Sequence, residues 1–421
     1  MRAMQRLKAF LKSERGNVLA MGAAAIPLLL GSAGYAVDTF QIAVMNRQMQ
    51  RAADSAAIAG AYAMSQGSGA TEEQTYASGA ATREIDRKLN KTPALVGTPV
   101  IVTGASLGFN RTVRVNLTAT PRLPFMAIFT KSTTTISATA TAALIGNGRF
   151  CLLSLYDDDD QPGIEITGHA TVNLGCGMAT NARGPNAISA GGNSTVIASP
   201  VMAPGGLQPS TNYAAGTELQ PYSAQQADPF AGIDLPSFDQ SNCPALSVQK
   251  NDPPKTVNGG CYSSIDIKGT VTFTGEVVVF GGNVNFGAGA EITGNGVTFF
   301  LTGPGGEAGS FDAGIFDTDG HPQLNLSAPT SGTYKDILFY RDRRATQASM
   351  KINGNAQSVL SGAFYFPTAD VTVNGNAGFK AECFQMVVRR ATFSGNERLN
   401  NTCNRPGGQP SFQLQFVRLV K

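Results

Sequence analysis

Residues 352–377 read INGNAQSVLSGAFYFPTADVTVNGNA. The stretch opens on Ile352-Asn-Gly354-Asn-Ala356 and closes on Val373-Asn-Gly375-Asn-Ala377: an apolar residue, a polar one, glycine, asparagine and a small residue. The two glycines are 21 positions apart, and a third copy, Phe393-Ser-Gly395-Asn396, places its glycine 20 positions further on. Ile166-Thr-Gly168-His-Ala170 and Ile292-Thr-Gly294-Asn-Gly296 repeat the phrase earlier, with Gly294 lying 25 positions after Gly269. Glycine and asparagine tolerate left-handed backbone, so each phrase marks a corner. Between the corners lie short β runs, such as Thr270–Phe286 and Gly296–Gly303. A corner returning at this interval predicts a parallel β-helix-like solenoid over 147–421, which buries a core only by repetition and so needs at least three coils. An antiparallel β-sandwich with glycine-rich hairpins is the competing reading. Two stretches break the pattern: proline-rich residues of about 200–255, read as a long loop, and Pro304–Gln323.

Composition agrees with a mainly β chain. Only 14% of the 421 residues are charged and 48 are glycine, which favours strands and turns over helices. Residues 1–16 carry five bases and one acid, and without them the formal charge of +3 falls to −1. No basic surface for nucleic acid is left. The six cysteines, Cys151, Cys176, Cys243, Cys261, Cys383 and Cys403, are candidates for disulfides if they reach an oxidising compartment. Pairing neighbours in sequence closes loops close to one coil long, which predicts Cys151 with Cys176, Cys243 with Cys261 and Cys383 with Cys403.

The amino-terminal region reads differently. Val18–Val37 contains no charge, and twenty helical residues span about 30 Å, the thickness of a hydrocarbon core. We expect a basic tail at 1–16 and a transmembrane helix at 17–38. Arg2, Arg6, Lys8, Lys12 and Arg15 precede the span, which predicts a cytoplasmic amino terminus and an exported remainder. A cleaved signal ending near Gly31–Ala36 is the competing reading. Beyond the span, Ile42, Met45, Met49, Ala52, Ala56, Ala59 and Ala63 are spaced alternately by 3 and 4, which puts them on one helical face, expected as an interaction seam whose length beyond the sheet is available to a partner's helix. Arg47, Gln50, Arg51 and Asp54 take the other side, and Gln66–Glu73 ends the helix. Val113, Val115 and Leu117 alternate with Arg114, Asn116 and Thr118 as in a half-buried strand, and the β-branched run near Thr133–Leu144 suits another. Residues 39–146 thus predict a small α+β unit whose helix covers a sheet.

Glu14–Met21 (ERGNVLAM), the apolar span and Met49–Ala63 (MQRAADSAAIAGAYA) together resemble the amino-terminal signature of the TadE/TadG-like proteins of Flp-type, tight-adherence pilus assembly. Val113–Leu144 resembles the strand, apolar turn and strand that follow in that family, so the likeness covers about the first 145 residues. The resemblance implies a bitopic, pilin-like unit in a bacterial inner membrane, working with other pilus-assembly or secretion proteins. For some relatives it implies prepilin-type processing after the glycine matching Gly16, where those chains carry glutamate five positions on and this one has Met21. Some longer relatives carry a von Willebrand-type domain with a D-x-S-x-S metal run. Here the nearest approach is Asp239-Gln-Ser241-Asn-Cys243, which lacks the second hydroxyl.

No residues are singled out as catalytic, cofactor-binding or metal-binding. His169 and His321 sit in no metal spacing, and neither a nucleophile elbow nor a phosphate loop is present. Asp157–Asp160 offers oxygens of the kind calcium takes, though such a run also suits a solvated turn. Asp312, Asp317 and Asp319 with His321 form the nearest approach to the carboxylate pair of a glycoside-processing enzyme. The expected function is therefore a membrane-anchored, non-enzymatic component of a Flp pilus assembly or secretion system that exposes a solenoid for interaction or adhesion. A membrane-anchored polysaccharide-binding or polysaccharide-processing β-helix is the alternative.

Overall fold

The computed structural model describes residues 17–65, 69–90, 94–129, 133–305, 308–353, 355–375, 379–396, 398–403 and 412–420. The basic tail with Gly16, and Gly354, Asn376 and Ala377 of the corner phrases, lie outside them. The chain divides into two compact units, Met1–Ile145 with Val417–Lys421, and Gly146–Phe416.

The first unit opens with α1 (Asn17–Met64), one unbroken helix with Pro27 inside it. Its early side chains are apolar yet exposed, Leu28 at 75% and Phe40 at 70%, whereas Met49 to Met64 bury an inner face. A second helix follows, α2 (Ala70–Leu89), where the sequence suggested only the passage to a sheet. Glu72 and Glu73 in its first turn and Arg87 and Lys88 in its last suit the helix dipole. Asn90 ends it in left-handed backbone, its N–H donating to the Asp86 carbonyl at 2.9 Å. Ala77, Ala81, Ile85 and Leu89, four apart, are its buried stripe.

β1 (Val100–Ser106) and β2 (Phe109–Ala119) form a hairpin whose two turn residues, Leu107 and Gly108, both have positive φ, a geometry that matches strand twist. β2 pairs antiparallel with the start of β3 (Ile136–Ser154), from Thr112 opposite Ala143 to Ala119 opposite Ile136. Val113, Val115 and Leu117 point into the core with Ala138, Ala140 and Ala142, as the alternation predicts, and there they meet the inner faces of α1 and α2.

The second unit is a parallel, solenoid-like stack of coils, each giving up to three short strands. The corner phrases stack in register: Ile352 lies opposite Val373, Val373 opposite Phe393, Phe393 opposite Ile166, and Ile166 opposite Ala190. Ile292 belongs to another row, opposite Val271 and Leu324. The true offset there is the 21 residues from Val271 to Ile292, so the 25-residue interval from Gly269 to Gly294 is not a coil length. At one corner Gly395, Gly168 and Gly192 lie one above another with φ of 79°, 72° and 64°. The Gly395 carbonyl accepts from the His169 N–H at 2.9 Å, and the Gly168 carbonyl from that of Asn193 at 2.8 Å. A Cβ on Gly192 would stand 2.8 Å from the Gly168 oxygen, so the corner admits only glycine there.

The coils do not follow chain order. Residues 379–402 stack on the beginning of the unit, with Met386 opposite Leu152 and Leu399 opposite Val172, and from there the coils continue to Leu219 opposite Val201. The next segment returns along the outside of the stack to the coil that begins at Ala245. Gln226 exchanges two hydrogen bonds with the Asn181 side chain, of 2.7 and 2.9 Å. Asp228 then accepts from the Tyr365 hydroxyl at 2.7 Å, the Ile233 carbonyl from the Tyr340 hydroxyl at 2.8 Å, and Phe238 meets Phe280 at 5.7 Å between ring centroids. The long loop of about 200–255 is therefore shorter than expected: 201–220 and 245–255 belong to coils, and the part between is a strap across one row of rungs.

Inside the coils Phe273, Phe299, Phe339, Phe364 and Phe384 form a column with successive centroids 5.0 to 5.2 Å apart. The disulfides are Cys151–Cys176, Cys243–Cys261 and Cys383–Cys403, with Cα atoms 5.9, 4.7 and 4.5 Å apart. Each closes a loop of 18 to 25 residues, so chain entropy assigns about 3 kcal/mol to each. Replacing Cys383 and Cys403 together by alanine should lower the denaturation midpoint in oxidising buffer, and in excess reductant the variant and parent should approach each other. Equal midpoints in oxidising buffer would show that this bridge adds nothing.

Candidate functional site

The inner face of α1 is built from small side chains. Met49, Ala52 and Ala56 of the expected seam are fully buried, whereas Ile42, Met45, Ala59 and Ala63 are half-buried at its margins. The centre runs through Ala53, Ala57, Gly60 and Ala61. A seam counted at 3.5 residues per turn drifts by about 20° per heptad on a straight helix, so over three heptads the buried face moves off the counted positions. Contact is close: a Cβ on Gly60 would meet Val113 Cγ1 at 3.0 Å and the Ala77 carbonyl oxygen at 3.1 Å. The seam is thus covered within its own unit by α2 and β2, and the unexpected α2 covers much of it. Gln50 and Asp54, on the outer side, hydrogen bond to each other at 2.7 Å.

Towards the apolar end, sequence reasoning missed Asp38. It is fully buried and its Oδ2 accepts from the Met126 N–H at 2.6 Å, which caps the short helix α3 (Met126–Phe129). Phe125 lies against Gly34, where a Cβ would stand 2.4 Å from its ring. The available signal was position: Asp38 is the first charge after the uncharged span.

On the solenoid a groove of about 590 Å³ opens over one row of rungs, lined by Thr293, Asn295, Asn325, Ser327, Ser361 and Glu382 among others. Hydroxyls and amides pair along this row, Ser327 to Asn295 at 2.8 Å, Thr272 with Thr293 at 2.8 Å and Asn173 to Asn400 at 2.9 Å. Glu382 is the one acid among its described lining residues.

The expected acid cluster lies elsewhere. Asp312, 73% exposed, accepts from the Gly314 N–H at 2.8 Å and stands 3.6 Å from the buried Arg341 guanidinium. Asp317 sits on a rung opposite Asn285, and burial together with Asp319 holds its carboxyl above the usual carboxylate range. The His321 carbonyl accepts from Asn355 at 2.9 Å, and His169 Nε2 lies 3.3 Å from Asn193 Nδ2. Asp157–Asp160 forms an exposed turn in which Asp160 accepts from the Tyr156 hydroxyl. That bond, then burial, pushes the Tyr156 phenol up to about 12. Among the described residues no three acid, histidine or cysteine side chains converge as a metal ion would need.

Residues 16–64 match the Tad family model, described as "Putative Flp pilus-assembly TadE/G-like". The Tad segment covers all of α1 and none of the strands, and it supports a part in Flp pilus assembly and attachment to a membrane. No curated protein and no solved structure matches the chain.

Proposed function

We propose that this chain is a non-enzymatic, membrane-anchored component of a Flp pilus assembly or secretion system. It crosses the inner membrane once, with its amino terminus cytoplasmic, and its pilin-like first unit serves contacts with other assembly proteins while the solenoid is exported for interaction or adhesion. The observation that carries this reading is the Tad match on a helix whose first half exposes apolar side chains from Met21 to Phe40, covered only at Gly34 and Asp38. Five bases before the span support the orientation, and three disulfides suit an oxidising compartment. Alkaline phosphatase fused after Leu144 should be active, since it folds only when exported. A stable but inactive fusion would reverse the topology. Deletion of the gene should abolish pilus-linked adherence, and the intact chain should restore it.

A polysaccharide-binding role is the second reading, favoured by the row of amide and hydroxyl side chains in the groove. Polysaccharide processing needs two carboxylates beside the substrate, and the groove has Glu382 alone among its described residues. Asp317→Ala and Asp319→Ala should leave adherence unchanged. Its loss in either variant would favour the processing enzyme.

A further inference from the structure

We infer that the apolar turn Leu123–Ile128 is a second membrane contact, sunk among lipid acyl chains beside the last turns of the α1 span. The inference rests on the reading of α1 as a transmembrane anchor.

Depth comes first. Counted from Val18, Gly34 lies about 24 Å and Asp38 about 30 Å along the helix, so both fall at the far edge of a hydrocarbon core. The turn is fastened to α1 at these two positions, by the Phe125 ring on the Gly34 backbone and by the Asp38 carboxylate on the Met126 N–H. It therefore has the depth of the membrane boundary wherever the helix has it. Exposure comes second. Ile128 is 74% exposed and Phe125 40% exposed, and Tyr35 and Val37, next to Gly34 and Asp38 on α1, are exposed at the same level. In water these side chains would stand bare at one level of the helix, whereas at the boundary they are solvated by lipid. Polarity comes third. Leu123–Ile128 carries no charge, and the exposed Arg122 just before it can keep its guanidinium among headgroups while its stem lies along lipid. Asp38 satisfies the Met126 N–H, a backbone donor that would otherwise be left bare in hydrocarbon.

The chain contains no tryptophan, so a single indole introduced into it reports its own surroundings. Three full-length variants, Ile128→Trp, Leu29→Trp and Tyr222→Trp, would be reconstituted into phosphatidylcholine and phosphatidylglycerol vesicles carrying bromine near the carboxyl end or near the methyl end of the acyl chains. Tyr222 is 80% exposed on the solenoid and serves as the aqueous control, and Ile128 is exposed enough for its replacement to leave the fold unchanged. We expect Ile128→Trp to emit to the blue of Tyr222→Trp and to lose emission to the shallow bromines more than to the deep ones. Leu29→Trp should be quenched by the deep bromines. An Ile128→Trp protein that behaves like Tyr222→Trp while Leu29→Trp is quenched overturns the second contact and leaves the anchor standing. Failure of both to be quenched overturns the anchor as well.

Discussion

Arg341→Met should make the middle of the solenoid open about 100-fold more often, a loss of about 3 kcal/mol or more. Arg341 is fully buried on the rung Ile337–Arg341. Its Nε donates to the Gly314 carbonyl at 2.9 Å, and its Nη1 donates to the Thr346 carbonyl at 2.8 Å and to the Thr368 hydroxyl. One side chain thus ties together three segments that have no strand pairing with each other at these points. Two effects compete. Burial holds the guanidinium below its usual pKa, against Asp312 and Asp342, so removing the charge relieves a desolvation cost. Methionine, however, leaves the buried Gly314 carbonyl without its donor, at about 1 to 3 kcal/mol, and strips the half-buried Thr346 carbonyl and Thr368 hydroxyl of theirs at about 1 kcal/mol each, and together these losses outweigh the gain. Relaxation is limited because Gly314 has φ of 67° and a Cβ there would stand 1.9 Å from the Gly282 carbonyl oxygen. Hydrogen exchange on the full chain should show faster amides over 314–318 and 337–346. Thr368→Val, which removes one bond only, should cost about 1 kcal/mol. Exchange in Arg341→Met as slow as in the parent would mean that the guanidinium does not hold these segments.

The sequence exposed those features that repeat locally. The corner phrases were legible because glycine with asparagine is demanded by backbone geometry, and four of the five stack as their similarity implies. The order of the coils was not. Pairing of Met386 with Leu152 joins residues more than two hundred positions apart, and a parallel rung carries no mark of its neighbour beyond being apolar. The strap was hidden for another reason. Phe230, Ile233, Leu235 and Phe238 anchor it singly at irregular intervals, so no period betrays that the proline-rich segment is ordered. α2 was missed because the first half of its buried stripe is alanine, which contributes little to an apolar pattern, although its charged ends were readable. At the candidate sites the seam was legible in kind but displaced in angle, and Asp38 was overlooked because one carboxylate after a span looks like an ordinary boundary charge until the Met126 N–H is seen against it.

Ala56→Phe should disrupt the first unit and abolish adherence while leaving the span in the membrane. Ala56 and its neighbours Ala52, Ala53 and Ala57 have no exposed surface, and they are enclosed by Ala77, Ala81 and Ile85 of α2 and by Val113 and Val115 of β2. A ring in place of a methyl must displace a helix or a strand. Overpacking typically costs about 1 to 3 kcal/mol, and a site closed on both sides lies towards the upper end. The uncharged segment 18–37 is untouched, so insertion should persist, and protease digestion of membranes should separate a misfolded unit from an absent protein. Ala59→Phe provides the angular control: Ala59 is half-buried at the margin of the face, so its ring can turn outwards and the loss should be smaller. If Ala59→Phe proved the more damaging, the face would centre on the counted seam and not on Ala53, Ala57 and Gly60. If Ala56→Phe accumulated and supported adherence like the parent while Asp317→Ala abolished it, the role in assembly would give way to that of a polysaccharide-processing enzyme.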